Sequence, residues 1–567
     1  MPIYKEISRM AKQQGVIWGP PGTGKTFAGC LMAKQWYLDG AAPGEVAYLG
    51  FTKASAVAAA DRIREDHTIL RDVPSEERFP NFRTIHSLAY RGALAQDKDR
   101  KLVLSADLRR FSKESGFDLR PAAGSAEDLG EIYDAATPAG KSVWDVAMAA
   151  YQLTRVTSST RAELEASRTT SGRASWSMGK FFTNAVYRAF VSKYEEWKAR
   201  EGLIDFTDML EFAVTSMPPI DDCRLVVVDE AQDLCPLHYA IIDRLFENAE
   251  QLWLIGDDDQ AIYRFSGASA NLFLDRAAKS KAQIKLTRTH RFGQKVVDFS
   301  ARIIRRIKRR TEKDVTADEA KPGSVAFSGK FSPVPVNAFL LHRHVAGCQE
   351  LGRGYIAAGV PFRNERGKSP LESANRVKAW RALDTLASGK KAQVGIVHLL
   401  VSDALKSIEV VEGRDTKERI RLVVHGGKSR MEKLARQGLS LDELIQEKIL
   451  TQDGANVIRH RQYSRTKYHD DFEYYDRVVK NGYDLEDHGP TITTIHGSKG
   501  RQRENVVVFS EMGRKCLDDW DTEHRLAYVA ATRTQGDVTI CKERTVEWAE
   551  VAYDYPTIPK EVAHAEF

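Results

Sequence analysis

The chain lacks most features that would assign it to a secreted, membrane or metal-cluster class. Its six cysteines (Cys30, Cys223, Cys235, Cys348, Cys516 and Cys541) are scattered, with no C-x-x-C pair and no closely spaced Cys/His cluster. That argues against a disulfide framework, structural zinc and an iron–sulfur cluster, and favours reduced, mostly buried thiols. No apolar run reaches the roughly 18 residues that a membrane helix needs. The opening MPIYKEISRMAKQQ has no long apolar segment and no small-residue cleavage site, so no secretory signal and a cytoplasmic location are expected. No tandem repeat is visible. Nor does one sign of charge dominate: 84 basic against 78 acidic residues leave +6, which permits nucleic-acid binding without demanding it.

What the chain has is length and motifs. At 567 residues it exceeds what one core supports, so roughly three to five domains are expected. Hydrophobic residues at 42% and charged residues at 29% are ordinary for a globular protein. Gly15 to Trp18 reads as the end of a buried strand, and Gly19-Pro20-Pro21-Gly22-Thr23-Gly24-Lys25-Thr26 follows it directly, ahead of the helix-compatible run FAGCLMAKQWYL. This is G-x-x-x-x-G-K-[ST] in its strand–loop–helix setting. Glycines let backbone N–H groups curl around phosphate oxygens, and the helix N-terminus adds partial positive charge. Lys25 is expected on the β- and γ-phosphates and Thr26 on Mg²⁺. A phosphate loop alone does not say what hydrolysis drives.

The strand-like RLVVV ends in Asp229-Glu230-Ala231-Gln232-Asp233. A strand end of this kind places Asp229 to hold the metal and Glu230 to polarise the attacking water. A further strand-like run, Gln251 to Ile255, leads into GDDDQAIYRFSGAS. There Gln260 is the candidate γ-phosphate sensor, and Tyr263 and Phe265 offer flat faces to bases.

These motifs, in this order, resemble the UvrD/Rep family of superfamily 1 helicases. DEAQD resembles motif II and GDDDQAIYRFSGA motif III; Phe51-Thr52-Lys53 resembles motif Ia, and Thr84-Ile85-His86-Ser87 the next short motif. LIDFTDML resembles the segment before motif II, LTRTHRF motif IV, TIHGSKG motif V and RLAYVAATR motif VI. The resemblance implies an α/β fold of two RecA-like P-loop domains, each with an inserted, mostly helical subdomain, and ATP with Mg²⁺ between the two cores. It implies that Arg291 and Arg533 act as arginine fingers. It implies that Phe51, Thr52, Thr84, His86, Tyr263, Phe265 and His496 lie along a single strand, hydroxyls and imidazoles to phosphates and aromatics to bases. Gly500 is implied at the nucleotide.

The chain departs from the family pattern at several places. Only Gln13 and Gln14 stand near where an upstream glutamine reads adenine, so Gln14 is the available candidate. His290 replaces the more usual stacking Tyr, Ser266 a common Arg, and Arg501-Gln502 the usual Leu-Glu. Gln502 retains hydrogen-bonding capacity for a ribose hydroxyl without charge. A divergent member is implied.

The organisation expected is a first core over 1–90 and 201–280, a helical insertion over 91–200, a second core over 281–365 and 488–567, and a second insertion over 366–487. About 110 residues between the two flanking motifs are too many for a loop. Helical patterns show near WDVAMAAYQL and FFTNAVYRAFVSKYEEWKAR, separated by a polar stretch carrying Arg155, Arg161, Arg168, Arg173 and Lys180. That stretch reads as a solvated loop, with phosphate contact as the alternative. Arg302 to Arg310 is basic, yet Ile303, Ile304 and Ile307 suit an amphipathic surface helix. The second insertion carries Lys428, Arg430, Lys433, Arg436, Arg459, Arg461, Arg465 and Lys467. The function implied is an ATP-dependent DNA helicase moving 3′ to 5′ on single-stranded DNA and at junctions with duplex, as a monomer or weak oligomer and away from membranes. An RNA helicase, or an ATP switch that does not unwind, is the alternative.

Overall fold

A computed structural model describes residues 13–66, 68–74, 77–96, 99–120, 142–158, 184–329, 331, 337–372, 374–405, 438–487, 489–510 and 519–542. The chain divides into two compact units, Met1–Gly329 with Ser510–Phe567, and Lys330–Phe509. Both are α/β, with parallel strands flanked by helices. Among the described residues no helix is long and apolar enough to cross a membrane.

The first unit is organised on strands β1 (Gln13–Trp18), β2 (Val46–Gly50), β3 (Phe82–Thr84), β4 (Lys101–Leu102), β5 (Leu203–Ile204), β6 (Leu225–Val228), β7 (Gln251–Gly256) and β8 (Ala282–Lys285). Six of them form one parallel sheet in the order β3-β2-β6-β7-β1-β8. Parallel strands buried on both faces need apolar residues without polar alternation, and LVVV in β6 meets that condition at every position. Successive side chains still point to opposite faces. Val16, Trp18, Ala47, Leu49, Val226, Val228 and Leu254 enter one core, while Ile17, Val46, Tyr48, Leu225, Val227, Trp253 and Ile255 enter the other. This parallel order brings the carboxyl ends of β1, β2, β3, β6 and β7 to one edge, where sheets of this kind bind ligands.

The first insertion packs helices Ser105–Ser115, Val143–Thr157 and Asn184–Glu201 around Phe111, Tyr151, Phe190, Tyr194 and Trp197. Ser142 caps Val143–Thr157 by accepting from the amides of Trp144 and Asp145. Both expected helices are present. Arg155 departs from the loop reading: it lies in the last turn of Val143–Thr157 and pairs with Asp205, Asp208 and Glu211, because three carboxylates face that helix end. Arg161, Arg168, Arg173 and Lys180 lie outside the described residues.

The rest of the first unit contains helices Gln294–Ile304 and Trp520–Ala531, which pack on each other. Strand Val325–Ser328 pairs in parallel with Thr534–Cys541. Ile303, Ile304 and Ile307 are buried as expected, but the helix ends at Ile304, so Ile307 and Arg305 to Arg310 lie beyond the amphipathic helix that their spacing suggested. Trp520–Ala531 is buried from Glu523 to Ala531, charged residues included.

In the second unit, strand Ala338–His342 lies between Thr491–Thr494 and Arg503–Phe509, all parallel. Its insertion is helical: Ala374–Ala387, Gln452–Arg459 and His469–Lys480 bury Trp380, Leu383, Val457, Ile458, Phe472 and Tyr475. Of the basic residues noted there, Arg461 bridges Asp384 and Asp476, and Arg465 pairs with Asp453. Lys428, Arg430, Lys433 and Arg436 lie outside the described residues.

Candidate nucleotide site and nucleic-acid face

The loop Gly19 to Gly24 joins β1 to helix Lys25–Leu38. Gly22 and Gly24 hold φ of 78° and 84°, left-handed values that favour glycine. Gly22 also has no room for a side chain: a Cβ would fall 2.5 Å from the Cβ of Arg291. The Thr23 hydroxyl donates to the Pro20 carbonyl at 2.8 Å, which tightens the turn. Lys25, the first helical residue, is buried. Motif IV docks on this loop: the His290 amide donates to Gly22 O at 2.9 Å and the Thr289 hydroxyl to Pro21 O at 2.8 Å. Arg291 therefore arrives beside the phosphate loop, and the exposed His290 stands at its rim.

Asp229 follows β6 and is almost fully buried. Its Oδ2 accepts from Thr26 Oγ1 at 2.8 Å and from Tyr48 Oη at 2.9 Å. Burial, then the neighbouring Glu230, raises its pKa, with the Thr26 and Tyr48 hydrogen bonds opposing. A buried carboxylate so destabilised, touching a hydroxyl at the end of a phosphate loop, offers hard oxygen donors and unmet demand for positive charge. These residues fit Mg²⁺, which Thr26 and Asp229 would hold.

Glu230 has φ 55° and ψ 40°, a left-handed conformation that costs a non-glycine residue on the order of 1–3 kcal/mol. Gln232 steadies it, donating to Glu230 Oε2 at 2.5 Å while its own Oε1 accepts from the Asp257 amide at 3.0 Å. Gln260 donates to Asp257 Oδ2 at 2.8 Å and accepts from Arg533 Nη2 at 3.2 Å. Arg533 is buried, and its Nε donates to Val529 O at 3.0 Å. The Arg291 guanidinium donates to Thr532 O at 2.9 Å. Burial lowers the Arg533 pKa to about 10, against the attraction of Glu230. Burial and the adjacent Arg533 lower Arg291 to about 9. Both stay charged at neutral pH. Two desolvated guanidiniums close enough to repel form a place that a polyanion would stabilise.

The six expected catalytic residues, Lys25, Asp229, Glu230, Gln260, Arg291 and Arg533, thus gather at one edge of the first unit. Tyr48, Gln232, Arg310, Lys313 and Arg525 are additions. Tyr48 is one of the inward positions of β2, and its pattern signals core alone. Lys313 contacts Asp257 at 2.8 Å, Asp259 at 2.9 Å and also Asp258, while Arg310 grips Asp259 with two hydrogen bonds of 2.9 and 2.8 Å. Arg525 donates to Asp258 O at 2.9 Å. Gln14 sits near the amino end of β1, four residues from Trp18 and so roughly 13 Å from the phosphate edge at about 3.3 Å per residue. It is not among the residues brought together.

The expected strand-contacting aromatics meet at the same edge. Phe51, after β2, stacks on Tyr263 at 5.2 Å and 23°, and Tyr263 meets Phe265 edge-on at 5.8 Å. All three rings are half-buried. Thr52 caps helix Lys53–Arg64, and Thr84 Oγ1 accepts from the Ser87 amide. His86 packs edge-on to His238 at 5.0 Å and against Phe206 at 6.3 Å. Burial lowers its pKa to about 4, so the ring is neutral at pH 7. His496, Gly500 and Gln502 belong to the second unit. Beside them Arg501 donates to the carbonyls of Gly497 and Glu365, which gives the departure from Leu a bracing role in that loop.

A glycine-bent phosphate loop, a metal-competent Thr–Asp pair and a strained glutamate near the buried Arg533 and the half-buried Arg291 define a P-loop nucleotide site. Residues 2–281 match the family model of the UvrD/REP helicase N-terminal domain, which assigns that part of the chain to the UvrD/Rep helicase family. It is 28% identical over 256 residues to the ATP-dependent DNA helicase UvrD2 of Mycobacterium tuberculosis, covering 41% of this chain and 35% of that protein. Against the putative ATP-dependent DNA helicase YjcD of Bacillus subtilis it is 24% identical over 250 residues, 39% of this chain and 33% of the relative. A 127-residue segment is 30% identical to the RecBCD enzyme subunit RecB of Mycolicibacterium smegmatis, 21% of this chain and 12% of that protein. The matched segment spans about a third of the length of the two helicase relatives.

Proposed function

We propose that this protein is an ATP-dependent DNA helicase that translocates on single-stranded DNA, 3′ to 5′, and separates strands at junctions with duplex. The observation that carries the reading is the convergence of Thr26 and Asp229, 2.8 Å apart, with Glu230 and the Arg291–Arg533 pair on one sheet edge. Lys25 and the loop amides bind the β- and γ-phosphates. Mg²⁺ at Thr26 and Asp229 would neutralise phosphate charge. Glu230 takes a proton from the attacking water, and the two arginines stabilise charge on the transferring phosphoryl group. Gln260 touches both Asp257 and Arg533 and lies three residues before Tyr263, so it links the phosphate end to the Phe51–Tyr263 stack. Stacking on such a pair is base-tolerant, as a translocase requires. Closure and reopening of two RecA-like cores, with boundaries at 1–90 with 201–280 and 281–365 with 488–567, is the stroke this reading assumes.

Strand displacement on duplexes with a 3′ or 5′ tail tests it, comparing the parent with Lys25→Ala and Glu230→Gln. ATP-dependent displacement from the 3′ tail, lost in both variants, is expected. Displacement only from 5′ tails would reverse the polarity. ATPase stimulated by RNA but not by DNA would move the substrate to RNA, and stimulation without displacement would make the protein a switch. Equal displacement by all three proteins would sink the mechanism.

A further inference from the structure

The site described above leaves one buried cation without a task. Lys313 lies in a segment with no motif, TEKDV, and its side chain is enclosed. The ammonium is shared by Asp257, Asp258 and Asp259, at 2.8 and 2.9 Å to the first and last. It also sits 5.7 Å from the centroid of Trp18, the last residue before the phosphate loop. Its own segment is pinned: the Thr311 amide donates to Asp258 at 2.9 Å, Lys285 to Glu312 O at 2.9 Å, and Arg310 grips Asp259. Among the described ion pairs, Asp257 is held by Lys313 alone.

Asp257 is the hub of the hydrolytic residues. Its Oδ2 accepts from Gln260, whose Oε1 accepts from Arg533, and its amide donates to Gln232, which in turn donates to Glu230. A glutamine amide can flip, exchanging donor for acceptor. The Gln260 amide is directed because Asp257 is ionised and can only accept. Burial by itself would protonate such a carboxylate; the ammonium of Lys313, aided by Lys25, holds its pKa below the ordinary value.

We propose that Lys313 is a positioning residue for nucleotide hydrolysis: it anchors Asp257 so that Gln260 and Arg533 on one arm, and Gln232 and Glu230 on the other, keep one arrangement. Lys313 acts through Asp257 and does not touch the nucleotide. The inference rests on the ATP-hydrolysing function proposed above. Misplacement of catalytic groups by about 1 Å costs about 10²-fold in rate, so the effect belongs in turnover rather than in binding.

The test compares the parent chain with Lys313→Met, Lys313→Arg and the charge-balanced pair Lys313→Met with Asp258→Asn, in steady-state ATPase assays with oligo(dT) and in thermal melts. The balanced pair removes the cation together with one of the carboxylates it neutralises, leaving the hydrogen bond from Gln260 to Asp257. The expected result is a kcat about 10- to 100-fold lower in both methionine variants, with KM for ATP and oligo(dT) affinity within about threefold of the parent. The balanced pair should melt near the parent, and Lys313→Arg should recover part of kcat. A balanced pair that melts like the parent and keeps its kcat overturns the inference. Should that pair not fold, Lys313→Met decides, its rate taken per folded molecule: parent-like kcat overturns the inference, and a lowered kcat that Lys313→Arg partly restores supports it. A parent that hydrolyses no ATP overturns the functional reading and this inference with it, whereas a hydrolysing parent with unaffected Lys313 variants overturns this inference alone.

Discussion

Two lysines are buried in carboxylate nests in the first unit, and their surroundings separate support of a fold from support of a reaction. Lys198 meets Glu195 at 2.8 Å, Asp205 at 3.0 Å and Asp208 at 2.6 Å, and Arg155 reaches the same two aspartates. That nest ties the helical insertion to helix Phe206–Thr215, and its outer members Glu195 and Glu211 are about 45% and 41% exposed. Lys313 meets three consecutive aspartates, all with fully buried side chains. The chemistry is nearly the same. What differs is what hangs from the carboxylates: from Asp205, a helix cap and Gln152; from Asp257, Gln260 and the route through Gln232 to Glu230. A buried ion pair contributes little net stability, yet removing one partner is costly. Its value lies in the geometry it imposes.

The sharpest way to calibrate that contrast is at the site itself. Glu230→Gln and Lys25→Ala should lower the nucleic-acid-stimulated ATPase by about 10²- to 10⁴-fold, the range for losing a positioned base or charge stabiliser. Steady-state rates against protein melting check this, and they set the ceiling for any effect transmitted from Lys313. The comparison breaks, or holds, at Lys198→Met. Leaving Asp205 and Asp208 without that cation should cost about 3–5 kcal/mol in urea unfolding, with kcat per folded molecule unchanged. A fall in kcat at full folding would erase the distinction between the nests.

Acid should act on the Lys198 side. His86 packs on Phe206, the first residue of the helix capped by Asp205, and burial lowers its pKa to about 4; its neighbour His238 is lowered well below 6.5. The unfolded chain therefore binds more protons than the fold between pH 6.5 and about 4. The stability of the neutral rings is fully present above pH 6.5 and is lost as pH falls through that window, at no more than about 1.4 kcal/mol per unit for each ring. Asp258, raised to about 6 by burial, works in the opposite sense on the other side. Urea midpoints at pH 7.5 and 5.0 test this, with His86→Gln expected to flatten the slope. The smallest effect is expected at Tyr48→Phe, which removes one hydrogen bond to Asp229 and should cost about 1 kcal/mol of stability. A large fall in ATPase there would make Tyr48 part of the reaction.

Much of the site was legible before the fold because its signals are local. The phosphate loop needs glycines at set places within eight residues, and a strand ending in Asp229-Glu230 advertises its chemistry where it stands. Ile303, Ile304 and Ile307 likewise announced a buried face, and all three are buried. The same basic run concealed Arg310, because its partner Asp259 lies 51 residues away. Tyr48 was hidden differently: an apolar strand position looks the same whether its hydroxyl meets water or Asp229. Arg155 read as part of a polar loop because nothing nearby in sequence showed the three carboxylates awaiting it.

By itself, the amino-acid sequence determined the phosphate loop, the order of the motifs and the α/β class, since each depends on residue types at short fixed spacings. The tertiary structure alone decided which charges stand together: Arg291 beside Arg533, Gln260 between Asp257 and Arg533, and Lys313 among three aspartates. Electrostatic pairing depends on distance and burial in space. Neither is encoded in spacing along the chain once a parallel sheet has gathered strand ends from remote segments onto one edge.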